Sequence, residues 1–320
     1  MSPRSDDRRE SEPRGEDSLP PARAFSILGN ELRVEILRTL AAEERPEDAL
    51  GEASGVSFSE LYELVDASNT SQFSYHLNEL SDAFVRETDD GYRLTYAGQK
   101  IVRTILAGTY NERPVFDPVG LDGLCPGCGE TNLRAAREEE MVVVRCTNCE
   151  AQLISTLPSP AQMRDRPSSE ILRSTGRFIH QEYSMAVDGI CSECKGRMRG
   201  RIEPGGDPVE DTYVHVVSCE QCDYQLTSPI ELRLVYHPAV VSFYWSHGVD
   251  VGAKPLWELF EYLFSDRWRT EVLSSDPYEF RVTFVVDGDE LQVEMDETLS
   301  VTSVRATETQ VPRASDDTDS

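Results

Sequence analysis

The chain of 320 residues has 58 acidic against 31 basic side chains, a net charge of −27, and a hydrophobic share of 39%, which is enough for folded cores. This length favours about two domains. An anionic surface of this strength argues against a nucleic-acid partner. No apolar run approaches the roughly 18 residues needed to cross a bilayer, and the charged, Pro-rich start (residues 1–21) lacks the apolar core of a secretory signal. The sequence therefore predicts a cytoplasmic protein without membrane contact.

The basic residues are unusual, because only Lys100, Lys195 and Lys254 are lysines and the other 28 are arginines. An acidic excess with so little lysine resembles the proteins of salt-accumulating haloarchaea. Molar salt shortens the Debye length to about 3 Å and relieves the self-repulsion of such a chain. On this resemblance the net charge reflects the solvent, so contact with DNA has to be judged from the local surface. The alternative is one acidic protein in an ordinary cytoplasm.

The first part of the chain has the pattern of a small helical domain with a hairpin. Residues 1–21 and 307–320 contain little to bury and are predicted to be disordered. Apolar residues at steps of three and four predict one helix from Ala22 to about residue 42, a second over 58–65 and a third that opens after the capping residues 66–70. Asp89-Asp90-Gly91 predicts a hairpin turn, and a last helix follows over 96–106. A polar, Gly-containing loop is predicted over 43–55.

This order of elements is that of a winged helix-turn-helix. Residues 71–80 (SQFSYHLNEL) look like the recognition helix of ArsR-type repressors, and residues 94–98 (LTYAG) are similar to the end of the wing and the start of the dimer helix in that group. The resemblance implies that residues 22–108 are a DNA-binding domain, that double-stranded DNA is the partner and that the chain is a homodimer. The helix over 58–65 has no cysteine, so arsenic or cadmium sensing does not carry over.

The third helix is also where the charge of the chain is lowest, because residues 68–80 contain one formal charge, Glu79. Polar side chains off its apolar stripe can bond to base edges or phosphates, and two arginines in the hairpin can reach the backbone or the minor groove. The structural alternatives are that Ser71 only caps the helix, Tyr75 fills the edge of the core and His76 is an ordinary surface histidine. The predicted DNA contacts are Asn69, Thr70, Ser71, Gln72, Ser74, Tyr75, His76, Asn78, Arg86 and Arg93.

All eight cysteines fall into four C-x-x-C pairs, whose spacing leaves room for one or two strands between the pairs of each set. That layout is typical of two zinc ribbons, predicted over 118–158 and 188–228. Glycines 127, 129 and 196 are expected to supply the turn geometry. The predicted ligands of two structural zinc ions are Cys125, Cys128, Cys146, Cys149, Cys191, Cys194, Cys219 and Cys222. Rubredoxin-like iron is the alternative metal, and disulfides would need an oxidising compartment.

The rest of the second half predicts a mixed fold. Residues 159–187 are predicted as a helical connector, and residues 229–306 as a small α+β unit with helices from 237 and 255 and strands over 279–286, 290–295 and 299–305. Asp287 and Asp289 are interpreted as turn residues, and His237 and His247 as locally bonded histidines. The overall fold class is therefore α+β. No phosphate loop, nucleophile elbow or open metal site occurs in the sequence, which predicts that the protein is not an enzyme.

The whole arrangement resembles haloarchaeal helix-turn-helix regulators. It implies a sequence-specific transcriptional regulator in which the ribbons and the α+β unit serve as a sensor or an oligomerisation platform, with a small-molecule or protein effector left open. The alternative is a transcription-machinery adaptor that binds polymerase or another protein through its ribbons. A thiol redox switch is a third hypothesis.

Overall fold

A computed structural model describes residues 19–44, 54–205 and 212–307 of the chain. The fold is mixed α+β, as predicted, and divides into two compact units, Met1–Arg113 and Pro114–Ser320. The predicted disordered tails lie almost entirely outside the described residues, as does most of the predicted loop over 43–55. Within the described residues, no helix is both long and apolar enough to cross a membrane.

The first unit contains five helices and one hairpin among its described residues, in the predicted order except at the start. They are α1 (Pro21–Leu28), α2 (Glu31–Glu43), α3 (Phe58–Leu64), α4 (Thr70–Leu80), β1 (Val85–Thr88), β2 (Gly91–Leu94) and α5 (Tyr96–Leu106). The single helix predicted from Ala22 is wrong, because two helices meet at Gly29-Asn30. The Asn30 side chain accepts a hydrogen bond from the Arg33 N–H and so caps α2, and Phe25 of α1 is 70% exposed rather than part of a continuous buried stripe.

The core of the first unit is a single cluster that every helix enters. Helix α4 contributes Phe73, Leu77 and Leu80, and Phe73 packs edge-on against Phe58 of α3 at 5.0 Å between ring centroids. Helix α5 approaches the segment between α4 and β1 so closely that a Cβ on Gly98 would lie 2.1 Å from the Phe84 carbonyl oxygen. Glycine is therefore required there for space.

The second unit begins with two antiparallel sheets that flank a long helix. The first sheet has the order β3-β4-β5-β6 and the second the order β7-β8-β9. The predicted connector is two helices rather than one, because Pro167 stands at the start of the longer one and Ser159 caps the shorter. The elements are β3 (Val119–Leu121), β4 (Leu133–Glu138), β5 (Met141–Cys146), β6 (Gln152–Thr156), α6 (Pro160–Met163), α7 (Ser168–Val187), β7 (Met198–Pro204), β8 (Tyr213–Cys219) and β9 (Gln225–Pro229).

A four-stranded antiparallel meander closes the unit. The remaining elements are two short 3-10 turns (Ile230–Arg233 and Val251–Ala253), α8 (Pro238–Ser246), α9 (Leu256–Leu263), β10 (Trp268–Ser275), β11 (Tyr278–Val286), β12 (Asp289–Met295) and β13 (Val301–Thr307). Three strands were predicted, and β10 was missed. It is an edge strand whose only buried residue is Trp268, so it lacks the apolar alternation of its neighbours.

The two ribbons, the connector and the α+β unit were predicted as separate modules, but all of them lie in the second unit and share its cores. The largest core joins α8, α9 and the meander to side chains of α7 and of the second sheet. A second core joins the first sheet to Ile171 and Leu172 of α7 and to Trp257 of α9. The aromatic residues of the C-terminal region belong to this packing, and the Trp268 indole N–H donates to the buried Tyr244 hydroxyl at 2.7 Å.

Candidate metal centres and nucleic-acid interface

The four C-x-x-C segments form four turns of the same geometry. The N–H of each first cysteine donates to the carbonyl five residues later, at 2.8 to 2.9 Å in all four. The residue after each second cysteine has a positive φ, between 57° and 73°: Gly129, Glu150, Lys195 and Asp223. The expected role of glycine therefore holds only at 129, because three ordinary side chains take the same left-handed conformation. Gly196 is needed for space, since its Cβ would lie 3.0 Å from the Cys194 Sγ.

These turns bring the eight sulfurs into two groups of four, with all Sγ atoms of a group within 4.8 Å of one another. The closest contacts pair one turn with the other: Cys125 with Cys149 at 3.5 Å, Cys128 with Cys146 at 3.6 Å, Cys191 with Cys222 at 3.7 Å and Cys194 with Cys219 at 3.5 Å. A disulfide requires about 2.05 Å. Four sulfurs at about 2.3 Å from a central zinc stand about 3.8 Å apart, so these groups fit a tetrahedral metal ion.

Backbone N–H groups point at several of the sulfurs and favour the thiolate form that a metal needs. Hydrogen bonds from the Gln221 N–H and from the next turn residue lower the pKa of Cys219 to about 7, and the Glu130 N–H is the largest cause that lowers the pKa of Cys128 to about 7. Burial raises the pKa of Cys125 to about 12. A bound cation would remove this cost, because it compensates the buried thiolate charge.

The two centres differ in how much apolar packing supports them. The first lies in a core of eleven buried residues that draws on α7 and α9 and includes its own ligands Cys125 and Cys146. The turns of the second are packed against only five, two of which are the ligands Cys191 and Cys219 themselves. In each pair the first cysteine is buried, and Cys149, Cys194 and Cys222 are exposed. The second centre therefore has the weaker support from the rest of the fold.

The predicted DNA-contacting residues of α4 fall on its exposed side, with one exception. Asn69, Thr70, Ser71, Gln72, Tyr75 and Asn78 are exposed and Ser74 is half-buried. His76 is wrong as a surface residue: it is only 9% exposed, its Nδ1 has no partner among the described residues, and burial lowers its pKa. The reason is its position three residues after Phe73, which places it on the apolar stripe.

Two of these side chains already hold the start of the helix. The side-chain oxygen of Asn69 (Oδ1) accepts a hydrogen bond from the Gln72 backbone N–H at 2.9 Å. The side-chain oxygen of Gln72 (Oε1) accepts one from the Ser68 backbone N–H at 3.1 Å. This arrangement satisfies N–H groups that a helix start leaves open. Tyr75, which is 57% exposed, and Asn78 have no such local task among the described residues.

The one formal charge of α4 is paired, which the sequence did not indicate. Glu79 binds Arg23 of α1 at 3.1 Å and Arg33 of α2 at 3.7 Å, both through the same oxygen, Oε2. Because the two arginines come from other helices, no local pattern could have revealed the contact. The exposed face of α4 therefore carries no unpaired anion.

The hairpin places its two arginines side by side. Arg86 and Arg93 are directly opposite each other in β1 and β2, and neither makes an ion pair within 4.0 Å among the described residues. Like charges in this position destabilise a hairpin. Glu44 lies nearby, where its carboxylate accepts from the Leu94 N–H; burial raises its pKa, and the charges of Arg93 and Arg86 oppose this shift.

The geometry thus defines a mixed α+β protein with two four-cysteine centres suited to metal. A family model described as "Domain of unknown function (DUF7351)" matches residues 122–301, more than half of the chain and both centres, and the chain belongs to this family. A second model, described as "Domain of unknown function (DUF7347)", matches residues 21–105, the helices and hairpin of the first unit. Neither the curated proteins nor the solved structures contain a match to the chain.

Proposed function

We propose that the protein is a sequence-specific DNA-binding transcriptional regulator with an ArsR-like winged helix-turn-helix in its first unit. The observation that carries the proposal is the exposed face of α4, which is polar and free of unpaired charge in a chain of net charge −27. A helix of this kind fits the major groove, where polar side chains bond to base edges. The chain would act as a homodimer that contacts two half-sites.

The rest of the first unit supports this use of α4. Helix α3 braces it through Phe58 and Tyr62, whose rings lie 5.0 and 5.4 Å from that of Phe73. Tyr75 and Asn78 are one turn apart on the exposed side and would contact bases, while Arg86 and Arg93 would contact the phosphate backbone. High salt weakens contacts with phosphate, so a DNA-contacting helix without unpaired charge, such as α4, suits a protein that functions at high salt.

The two cysteine centres would hold structural zinc in this proposal. Four thiolates give zinc a closed shell with no position for a substrate water, which favours a structural role over catalysis. Cys125, Cys128, Cys146 and Cys149 would bind one ion, and the other four cysteines the second. Elemental analysis of the purified chain is expected to give two zinc ions, and the visible absorption of ferric thiolate would instead identify iron.

The test of DNA binding is selection of binding sites from random duplex DNA in the salt in which the chain is folded. We expect Tyr75→Ala and Asn78→Ala each to lower the affinity for the selected site about ten-fold or more, since a good base contact contributes about 1 to 3 kcal/mol. Tyr110→Ala and Asn111→Ala change the same residue types at exposed positions beyond α5 and serve as matched controls.

Two outcomes would contradict the proposal. Failure to enrich any sequence is the first, and equal binding by all four variants is the second. His76→Ala is unsuitable because it opens the core, and Gln72→Ala because it removes a cap. RNA polymerase that copurifies equally well with Tyr75→Ala would support the adaptor alternative.

A further inference from the structure

The side of α4 next to its exposed face carries a cluster of three charges that the proposed DNA contacts do not use. Glu79 lies one turn after Tyr75, on the same side of the helix. Its Oε2 meets the Arg23 guanidinium at 3.1 Å and that of Arg33 at 3.7 Å. Two cations on one carboxylate leave a local charge of +1. In a strongly acidic chain, this is a cationic spot at the edge of the proposed DNA interface.

The two arginines differ in what they can reach. The side chain of Arg33 is 13% exposed and that of Arg23 is 53% exposed. Arg33 is therefore largely shielded from a ligand: it lies 3.7 Å from the Glu79 carboxylate, and its Nε is buried without a hydrogen-bond partner among the described residues. Arg23 uses its Nη2 for Glu79, and a guanidinium has five N–H donors. Because about half of the Arg23 side chain is exposed, the donors that remain on it are accessible to a phosphate oxygen.

We infer that Arg23 is a phosphate-binding residue of the DNA interface and that Glu79 is its positioning residue. This inference rests on the proposed function and adds a contact from α1 to those of α4 and the hairpin. Arginine loses much rotamer freedom when it binds, and a side chain already fixed by a carboxylate loses less on contact with DNA. Glu79 thus favours binding although its own charge repels phosphate.

The test is a double-mutant cycle on the full chain with the selected duplex. Arg23→Gln is expected to weaken binding about ten-fold, the usual effect of losing one charge-assisted hydrogen bond. The slope of log affinity against log salt should also become shallower by about 0.9, as one phosphate contact is lost. In the Glu79→Gln background the cost of Arg23→Gln should fall to about three-fold or less, because a neutral amide holds the guanidinium more weakly than a carboxylate does.

Arg38→Gln is the matched control. Arg38 is an exposed arginine of α2, about 140° around that helix from Arg33, with no ion pair among the described residues. We expect Arg38→Gln to leave the salt slope unchanged and to have the same effect in the wild-type chain as in the Glu79→Gln background. Melting curves of each variant establish that it is folded.

The outcomes separate this inference from the proposed function. If the wild-type chain selects no DNA sequence, the proposed function fails and the inference with it. If the wild-type chain binds DNA but Arg23→Gln has no effect, Arg23 does not touch phosphate. If Arg23→Gln costs the same in both backgrounds, Glu79 does not position it, and a rise in affinity for Glu79→Gln alone would show that its charge outweighs its contact.

Discussion

Replacement of Cys222 by serine tests whether the second metal centre holds its own turns together, and Cys149→Ser is its counterpart in the first centre. Both cysteines are exposed and both are the last of their set of four. Serine is close in size to cysteine but is a much poorer zinc ligand. We expect each variant to bind one zinc per chain instead of two. The structural effects should differ, because the two centres are packed so differently.

The expected difference follows from the cores. Around the second centre the buried apolar side chains other than the ligands are Ala186, Met198 and Val217, which contribute about 5 kcal/mol, and Tyr224 packs against them only partly buried. Fixing the backbone of the turns 191–196 and 219–224 costs about 12 kcal/mol or more. Structural zinc contributes about 10 to 16 kcal/mol in small domains, enough to offset the rest. Of the eleven buried residues in the core of the first centre, two are the ligands Cys125 and Cys146 and nine are not, so the first centre depends less on the ion.

Hydrogen exchange followed by mass spectrometry measures how far the turns of each centre depend on the metal ion. In Cys222→Ser, the amides of 191–196 and 219–224 should lose their protection while the strands of the meander keep theirs. In Cys149→Ser, the amides of β5 should remain protected. A chelator added to the wild-type chain should expose the second set of turns before the first. Equal protection of both sets after both zinc ions are removed would refute the reasoning.

Two further predictions concern the second unit. His247 Nδ1 lies 2.8 Å from the Phe243 carbonyl oxygen and Nε2 lies 3.1 Å from the Asp289 carboxylate. Both acceptors favour the protonated ring and raise the pKa of His247, so Asp289→Asn should lower the midpoint of the His247 NMR titration. Because the pKa of His247 is higher in the folded than in the unfolded chain, its stabilisation is complete below a pH of about 6.5 and is lost as the pH rises through the folded pKa. Equal titration midpoints in the wild-type chain and in Asp289→Asn would contradict this prediction. A Cβ on Gly200 would lie 2.0 Å from the His215 Nε2, so Gly200→Ala should destabilise the chain by about 1 to 3 kcal/mol in denaturant, whereas Gly120→Ala, with nothing within 4 Å, should not overlap any neighbour.

Elements that carry their own start and stop signals could be predicted from the sequence. The helix over 96–106 was predicted with its observed bounds, because Thr95 caps it and its apolar side is regular. The hairpin before it depends on a local turn and was also found. The break at Gly29-Asn30 was missed because the apolar period continues through it. Strand β10 was missed because it is a strand through its pairing with β11, and its own sequence does not alternate between apolar and polar residues.

The same distinction applies to the sites. Cysteine spacing is local, so the two groups of four could be predicted completely, and the sulfurs converge as expected. The burial of His76 was recoverable, since steps of three and four from Phe73 pass through it, but its polar side chain favoured the surface. The pairing of Glu79 with Arg23 was not recoverable. It depends on how three helices pack, which periodicity in any one of them does not encode.

The arginines of the hairpin in the first unit differ in their pairing from Arg281 in the second unit. Arg281 bridges two carboxylates of the meander, with Nη1 at 2.9 Å from Glu271 and Nη2 at 2.8 Å from Glu294, because a forked guanidinium presents donors on separate nitrogens. With 58 acidic side chains in the sequence, a carboxylate partner is easy to supply. Arg86 and Arg93 nevertheless face each other without an ion pair within 4.0 Å among the described residues, at a cost to the hairpin that the more distant Glu44 carboxylate offsets in part. A polyanion that binds across both would recover that cost, which supports phosphate as their partner and the hairpin as part of the proposed DNA interface.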